Sequence, residues 1–224
     1  MSTAHRYAAA VFDMDGLLLD SERPMLDAWV DSARQLGCPF DPALLTGVLG
    51  RPGAEGVALF RAALGSDFPY EDVRARVRDS LLLARERGFA VMPGVQAMLG
   101  RCRTARLPCA VASSTKREQL EDRLHRAGLH GYFAGFAGGD EVDHGKPAPD
   151  IFLLAAQRLG VEARRCLVFE DSEHGARGAI AAGMGVVIVP DLTVPSAEAR
   201  AFSTAVLTSL EEADHFFSDW FVAS

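Results

Sequence analysis

The stretch Ala8-Ala9-Ala10-Val11-Phe12-Asp13-Met14-Asp15-Gly16-Leu17 decides how the rest of the chain is read. Five apolar residues broken off by acid-x-acid-glycine are the pattern of a strand buried on both faces, as in a parallel sheet covered by helices. Side chains two apart in an extended segment point the same way. Asp13 and Asp15 therefore converge just past the strand end, where Gly16 lets the backbone turn without a Cβ penalty. In open parallel sheets that is also where ligands bind.

Working outward, Asp20-Ser21-Glu22 opens a helical pattern over 22–35, with Ser21 or Asp20 as its cap and Gly37 as its stop. Helical, amphipathic spacing follows over 42–49, 54–64 and 70–87, punctuated by Asp41-Pro42, Pro52-Gly53 and Phe68-Pro69, with no convincing strand. From 92 onward strand and helix alternate. Strands are expected at 108–112, 135–137, 166–169 and 185–189, and helices at 95–106, 116–127, 149–159 and 173–182, with one more helix from 209. The alternation predicts an α/β fold with a doubly wound parallel sheet, its core formed by 1–20 and 92–224. Residues 21–91 form an inserted helical cap over the sheet's carboxyl edge.

The chain has 224 residues, 49% of them hydrophobic and 24% charged, enough for a sizeable core. A net charge of −7 with no basic run argues against a nucleic-acid partner. No apolar stretch approaches the roughly 18 residues that span a bilayer, and the first residues lack a signal-peptide layout. Cys38, Cys102, Cys109 and Cys166 show no metal-type spacing and read as free thiols in a reducing cytoplasm. A monomer or weak dimer is expected.

Several apolar strands end in polar residues that meet at one edge. Asp13 and Asp15 follow the first, Ser113, Ser114 and Thr115 the second, and Glu170 and Asp171 the third, while Lys146 lies in a loop Gly145-Lys146-Pro147. Carboxylates that close together need a cation, and Mg²⁺ takes one or two carboxylates plus a substrate phosphate. Acids, an ammonium and a hydroxyl form an inventory for phosphoryl transfer, in which a carboxylate attacks phosphorus. Asp150 and Ser172 read as helix caps, Glu173 as first-turn charge and His174 as exposed.

These residues resemble the four motifs of the haloacid dehalogenase superfamily, in that family's order and over nearly the whole chain. The opening Phe-Asp-Met-Asp-Gly-Leu-Leu-Leu-Asp-Ser-Glu is similar to its phosphatases and phosphomutases with a helical cap. The resemblance implies a Rossmann-like core and a small phosphorylated metabolite as substrate. It makes Asp13 the nucleophile, Asp15 the general acid/base, Ser113 the hydroxyl that orients the phosphoryl group and Lys146 its ammonium. Mg²⁺ would be held by Asp13, the Asp15 backbone carbonyl, Asp171 and Glu170. Arg51, in Gly50-Arg51-Pro52, resembles the family's specificity loop, and Glu22, Ser114 and Lys116 are further substrate contacts. Where β-phosphoglucomutases carry a histidine that holds back hydrolysis, this chain has Met25, which favours water as acceptor. A non-catalytic binder of phosphorylated metabolites is the reading from another class, and the complete set of acids counts against it.

Overall fold

The computed structural model describes residues 7–47 and 53–221. At its centre is β1 (Ala9–Phe12), all four side chains buried. A two-residue β2 (Leu19–Asp20) leads into α1 (Glu22–Gln35), α2 (Pro42–Thr46), α3 (Gly53–Leu64) and α4 (Tyr70–Arg87), and β3 (Ala90–Val91) leads out. Then follow α5 (Val95–Thr104), β4 (Cys109–Ser113), α6 (Arg117–Arg126), β5 (Gly135–Gly138), α7 (Asp150–Leu159), β6 (Cys166–Glu170) and α8 (Glu173–Ala181). The chain continues through β7 (Gly185–Ile188), α9 (Ala197–Phe202), β8 (Ala205–Val206) and α10 (Ala213–Trp220).

Six strands pair in the order β5-β4-β1-β6-β7-β8, each pair parallel. This is the doubly wound α/β sheet expected. The chain builds outward from β1 through β4 to β5, then returns to the other flank of β1 with β6. The order therefore reverses between β1 and β6, and a crevice opens beyond their carboxyl ends.

Alternation along the strands builds two apolar layers. Ala10 and Phe12 join Val111, Leu167 and Phe169 under Leu99, Phe217 and Trp220 of α5 and α10. Ala9 and Val11 join Ala110, Ala112 and Val168 under Phe152, Ala155, Ala176 and Ala179 of α7 and α8. Alanines on the second face bring the helices close to the sheet. On the first, Phe12 and Phe169 stack at 5.0 Å, one residue below the first acid of each strand end. Burying rings of this size contributes about 1.5–3 kcal/mol each, which pins the two strand ends together.

Helices α1 to α4 bury a third cluster of their own, with Trp29, Phe60, Tyr70 and Val73 at its centre. Ala28, Trp29, Ser32 and Ala33 form the buried face of α1, the spacing of one helical stripe. The segments entering and leaving these helices pair antiparallel as β2 and β3, Leu19 against Val91 and Asp20 against Ala90.

The sequence reading lacks this pairing and the outer pair of α9 and β8, because two-residue strands and a six-residue helix are too short to show a period. The expected final helix is split. Ser209 accepts from the Glu211 N–H and opens a single 3₁₀ turn before α10 begins at Ala213. The four cysteines are free, and Cys102, Cys109 and Cys166 are buried. Among the described residues no helix is long and apolar enough to cross a membrane.

Candidate active site

β1 delivers Asp13 to the switch point, where its backbone N–H donates to the Phe169 carbonyl at 3.0 Å and ties the ends of β1 and β6 together. The Asp13 carboxylate accepts from Lys146 Nζ. The same ammonium donates to Glu170 Oε1 at 2.6 Å. Glu170 Oε2 accepts from the Ser172 N–H at 2.8 Å and its hydroxyl at 2.9 Å. Ser172 Oγ in turn accepts from the Gly175 N–H and caps α8, the capping role expected of it.

Asp13, Lys146, Glu170 and Asp171 are all buried, none more than 9% exposed. Carboxylate oxygens of Asp13, Glu170 and Asp171 lie within 4.8 Å of one another. Three acids thus face one ammonium. Burial pushes the Asp13 carboxyl up to about 8, with Glu170 and Asp15 adding and Lys146 opposing. Asp171 is held well above the usual carboxylate range by burial and by Glu170 and Asp13. Burial disfavours the Lys146 charge too, but Asp13 and Glu170 outweigh it and hold the ammonium above its ordinary range. Buried oxygen donors with negative charge in excess fit a hard divalent cation such as Mg²⁺. Two glycines shape this floor. A Cβ on Gly16, at φ 85°, would run into Asp171, and one on Gly175 would overlap the Glu170 carboxylate.

Asp15 is held by different means. Its Oδ1 accepts from Ser21 Oγ at 2.7 Å and from Arg123 Nη1 at 2.7 Å. Its Oδ2 accepts from Thr115 Oγ1 at 2.8 Å and, at 3.4 Å, from Ser113 Oγ. The side chain remains 30% exposed. Ser21 occupies the cap position of α1 but makes no side-chain cap bond there. Its hydroxyl serves Asp15 instead, a tertiary partner displacing the local one expected from sequence.

Of the candidate residues, Asp13, Asp15, Ser113, Lys146, Glu170 and Asp171 come together at this edge. Glu22 reaches it from the start of α1, half-buried. Burial raises its carboxyl to about 7, with Asp191, Asp15 and Glu170 adding. Ser114 and Lys116 lie exposed between β4 and α6. Arg51 lies outside the described residues. Met25 is half-buried and packs on the α1–α4 cluster. His174 is half-buried rather than exposed. Asp150 is the first residue of α7, not its cap, which is Pro149. Glu173 pairs with Arg177 at 2.7 Å.

Arg123 escaped the sequence reading. A signal was there: Arg117 and Arg126 have acids four residues away on α6, Glu121 and Asp122, and pair with them. Arg123 has none three or four residues away in either direction, so its partner must come from elsewhere in the fold. Gly175 was equally invisible, since a helical glycine carries no mark of the carboxylate packed against it.

A crevice at the switch point of a doubly wound sheet, floored by these acids and one lysine, fits a haloacid dehalogenase-like hydrolase. The chain belongs to that family, whose model matches residues 7–183. It is 34% identical over 180 residues to a phosphorylated carbohydrates phosphatase of Thermotoga maritima, covering 79% of this chain and 82% of that protein. It is 35% identical over 188 residues to a fructose-1-phosphate phosphatase of Escherichia coli, covering 82% and 97%. Among solved structures, a haloacid dehalogenase family hydrolase from Deinococcus radiodurans with bound phosphate and sodium superposes with a TM-score of 0.79. That match is 27% identical and covers 96% of each chain.

Proposed function

We propose that this phosphoric monoester hydrolase is a Mg²⁺-dependent phosphatase of small sugar or polyol phosphates that works through an aspartyl-phosphate. One observation carries the reading: a buried carboxylate at the sheet's switch point has an ammonium against it, and a second carboxyl stands two residues on, held by hydroxyls and half open to solvent. The similarity to phosphatases of phosphorylated carbohydrates supports the substrate class.

In this reading an oxygen of Asp13 attacks phosphorus and the bond to the leaving oxygen breaks, while Asp15 gives that oxygen its proton. Asp15 then takes a proton from water as the water attacks the phosphoryl group. Inorganic phosphate leaves and the Asp13 carboxylate is restored. Lys146 and Ser113 bind the phosphoryl oxygens and keep them in line with Asp13. Asp13, Glu170, Asp171 and the Asp15 backbone carbonyl would hold the cation, which when bound neutralises charge on the phosphoryl oxygens. Residues 21–91 act as a cap, and Glu22, Ser114, Lys116 and Arg51 meet the rest of the substrate. Met25, half-buried against the apolar cluster of the cap, supplies no group to restrain water, so hydrolysis is favoured over internal phosphoryl transfer. Free and mostly buried thiols suit a reducing cytoplasm.

The test is phosphate release from a panel of phosphorylated sugars and polyols, with and without EDTA. Release that EDTA suppresses is expected, and Asp13→Asn should lose at least about 10³-fold in kcat, because a carboxamide is a poor nucleophile. Full activity in that variant, or a wild-type enzyme inert on every ester, would overturn the reading.

A further inference from the structure

An acid that gives a proton to one oxygen and later takes one from another must be aimed. What aims Asp15 is unusual in its origin. Ser21, on the segment that enters α1, and Arg123, from α6 on the far side, bind the same oxygen, each at 2.7 Å. The Arg123 side chain is 11% exposed. Its guanidinium sits 5.3 Å from the ring of Phe89, the residue between α4 and β3. Both connections to the helical insertion therefore bear on this one carboxyl.

Arg123 is well placed to hold a direction. Leu120 and Leu124, its neighbours along α6, are fully buried and fix the helix against the sheet. Among the described residues its ion-pair partner is Asp15, while Arg117 and Arg126 are satisfied on the surface. Each donor in the set bonds a carboxylate, but Arg123 alone brings a charge of its own to the bond, so it adds an ion pair that no hydroxyl supplies. It also comes from a rigid helix rather than from the loop that carries Asp15.

We infer that Arg123 is a positioning residue: it aims the Asp15 carboxyl at the leaving oxygen and does not itself touch the substrate. This rests on the phosphatase reading above, with Asp15 as the proton donor. The consequence is selective. An alkoxide leaving group, as from a sugar phosphate, needs a proton as it departs, whereas 2,4-dinitrophenolate leaves without one. Loss of aim should therefore slow the first and spare most of the second.

The experiment compares kcat/KM for the sugar or polyol phosphate of the panel above that is turned over fastest and for 2,4-dinitrophenyl phosphate in wild type, Arg123→Ala, Arg123→Lys, Asp15→Ala and the Asp15→Ala/Arg123→Ala double variant. Arg123→Ala should lower the ratio of alkyl to dinitrophenyl ester by about tenfold or more, within the range of about 10²–10⁴ that general acid catalysis supplies. Arg123→Lys should recover part of it. In the Asp15→Ala background, removing Arg123 should leave the ratio unchanged. Because both esters are measured on one preparation, the ratio does not depend on the fraction of folded enzyme. Equal losses on the two esters, or a further drop in the ratio in the double variant, would overturn the inference. A wild-type enzyme inert on every ester of the panel would overturn the phosphatase reading and this inference with it.

Discussion

Around Asp13 the chain gathers more negative charge than it balances; around Asp15 every lone pair that faces the protein has a donor. The floor of the site is closed and buried, with three acids close together and one lysine that bonds two of them. The rim, a few residues away, is half open and holds a single carboxylate among three hydroxyls and a guanidinium. The difference teaches what each region is prepared for. On the proposed reading the floor takes up a cation, and binding would stabilise the fold. The rim already has its donors within the chain.

Asp171→Asn should show this contrast most strongly. It removes one of the buried acids and no lysine partner, so affinity for Mg²⁺, read by titration calorimetry, should fall by at least about tenfold. In EDTA the same variant should melt no lower than wild type, and higher at alkaline pH, because the lost group is a charge the floor does not balance. A lower melting temperature in EDTA at every pH would mean the floor is balanced by the chain alone.

A pH series sharpens the comparison next. Asp13 titrates near 8 in the folded protein against an ordinary carboxyl near 3.8 when unfolded. Between those values the native state holds a proton that the unfolded state has released, so stability must fall as pH rises. Without a divalent cation the melting temperature should decline between about pH 5 and pH 8. Added Mg²⁺ should restore more at pH 8 than at pH 6, with proton release on binding at the lower pH. A flat profile in EDTA would place the Asp13 carboxyl in the ordinary range.

The smallest effect belongs to the rim. Ser21→Ala removes one of four donors from a partly solvated carboxylate and should cost about 0.5–1.5 kcal/mol in urea unfolding. It should leave the helix content of α1 unchanged, since Ser21 makes no cap bond there. A loss confined to helix signal would return Ser21 to the capping role its position in the sequence suggests.

Much of the floor was legible because strand-end acids announce themselves. A run such as Cys166-Leu167-Val168-Phe169 buries both faces, and the charge that follows it has to be at the sheet's edge. Lys146 was different: a loop lysine is ordinarily solvated, so the residues alone could place it in the inventory, and the family resemblance supplied its role. The rim was poorly legible for a physical reason. Its donors come from β4, α6 and the start of α1, and the Arg123 bond spans 108 residues. No local period encodes such a meeting. The pairing of β2 with β3 was hidden likewise, since four residues form it.

That small pairing has an evolutionary corollary. Asp20 and Ala90 are ladder partners, so some seventy residues of polypeptide begin and end side by side. A guest sequence of any size whose own ends lie one strand spacing apart, about 5 Å, could be grafted between them without disturbing the sheet beneath. The sheet could thus carry a different insertion without any change in the order of its strands.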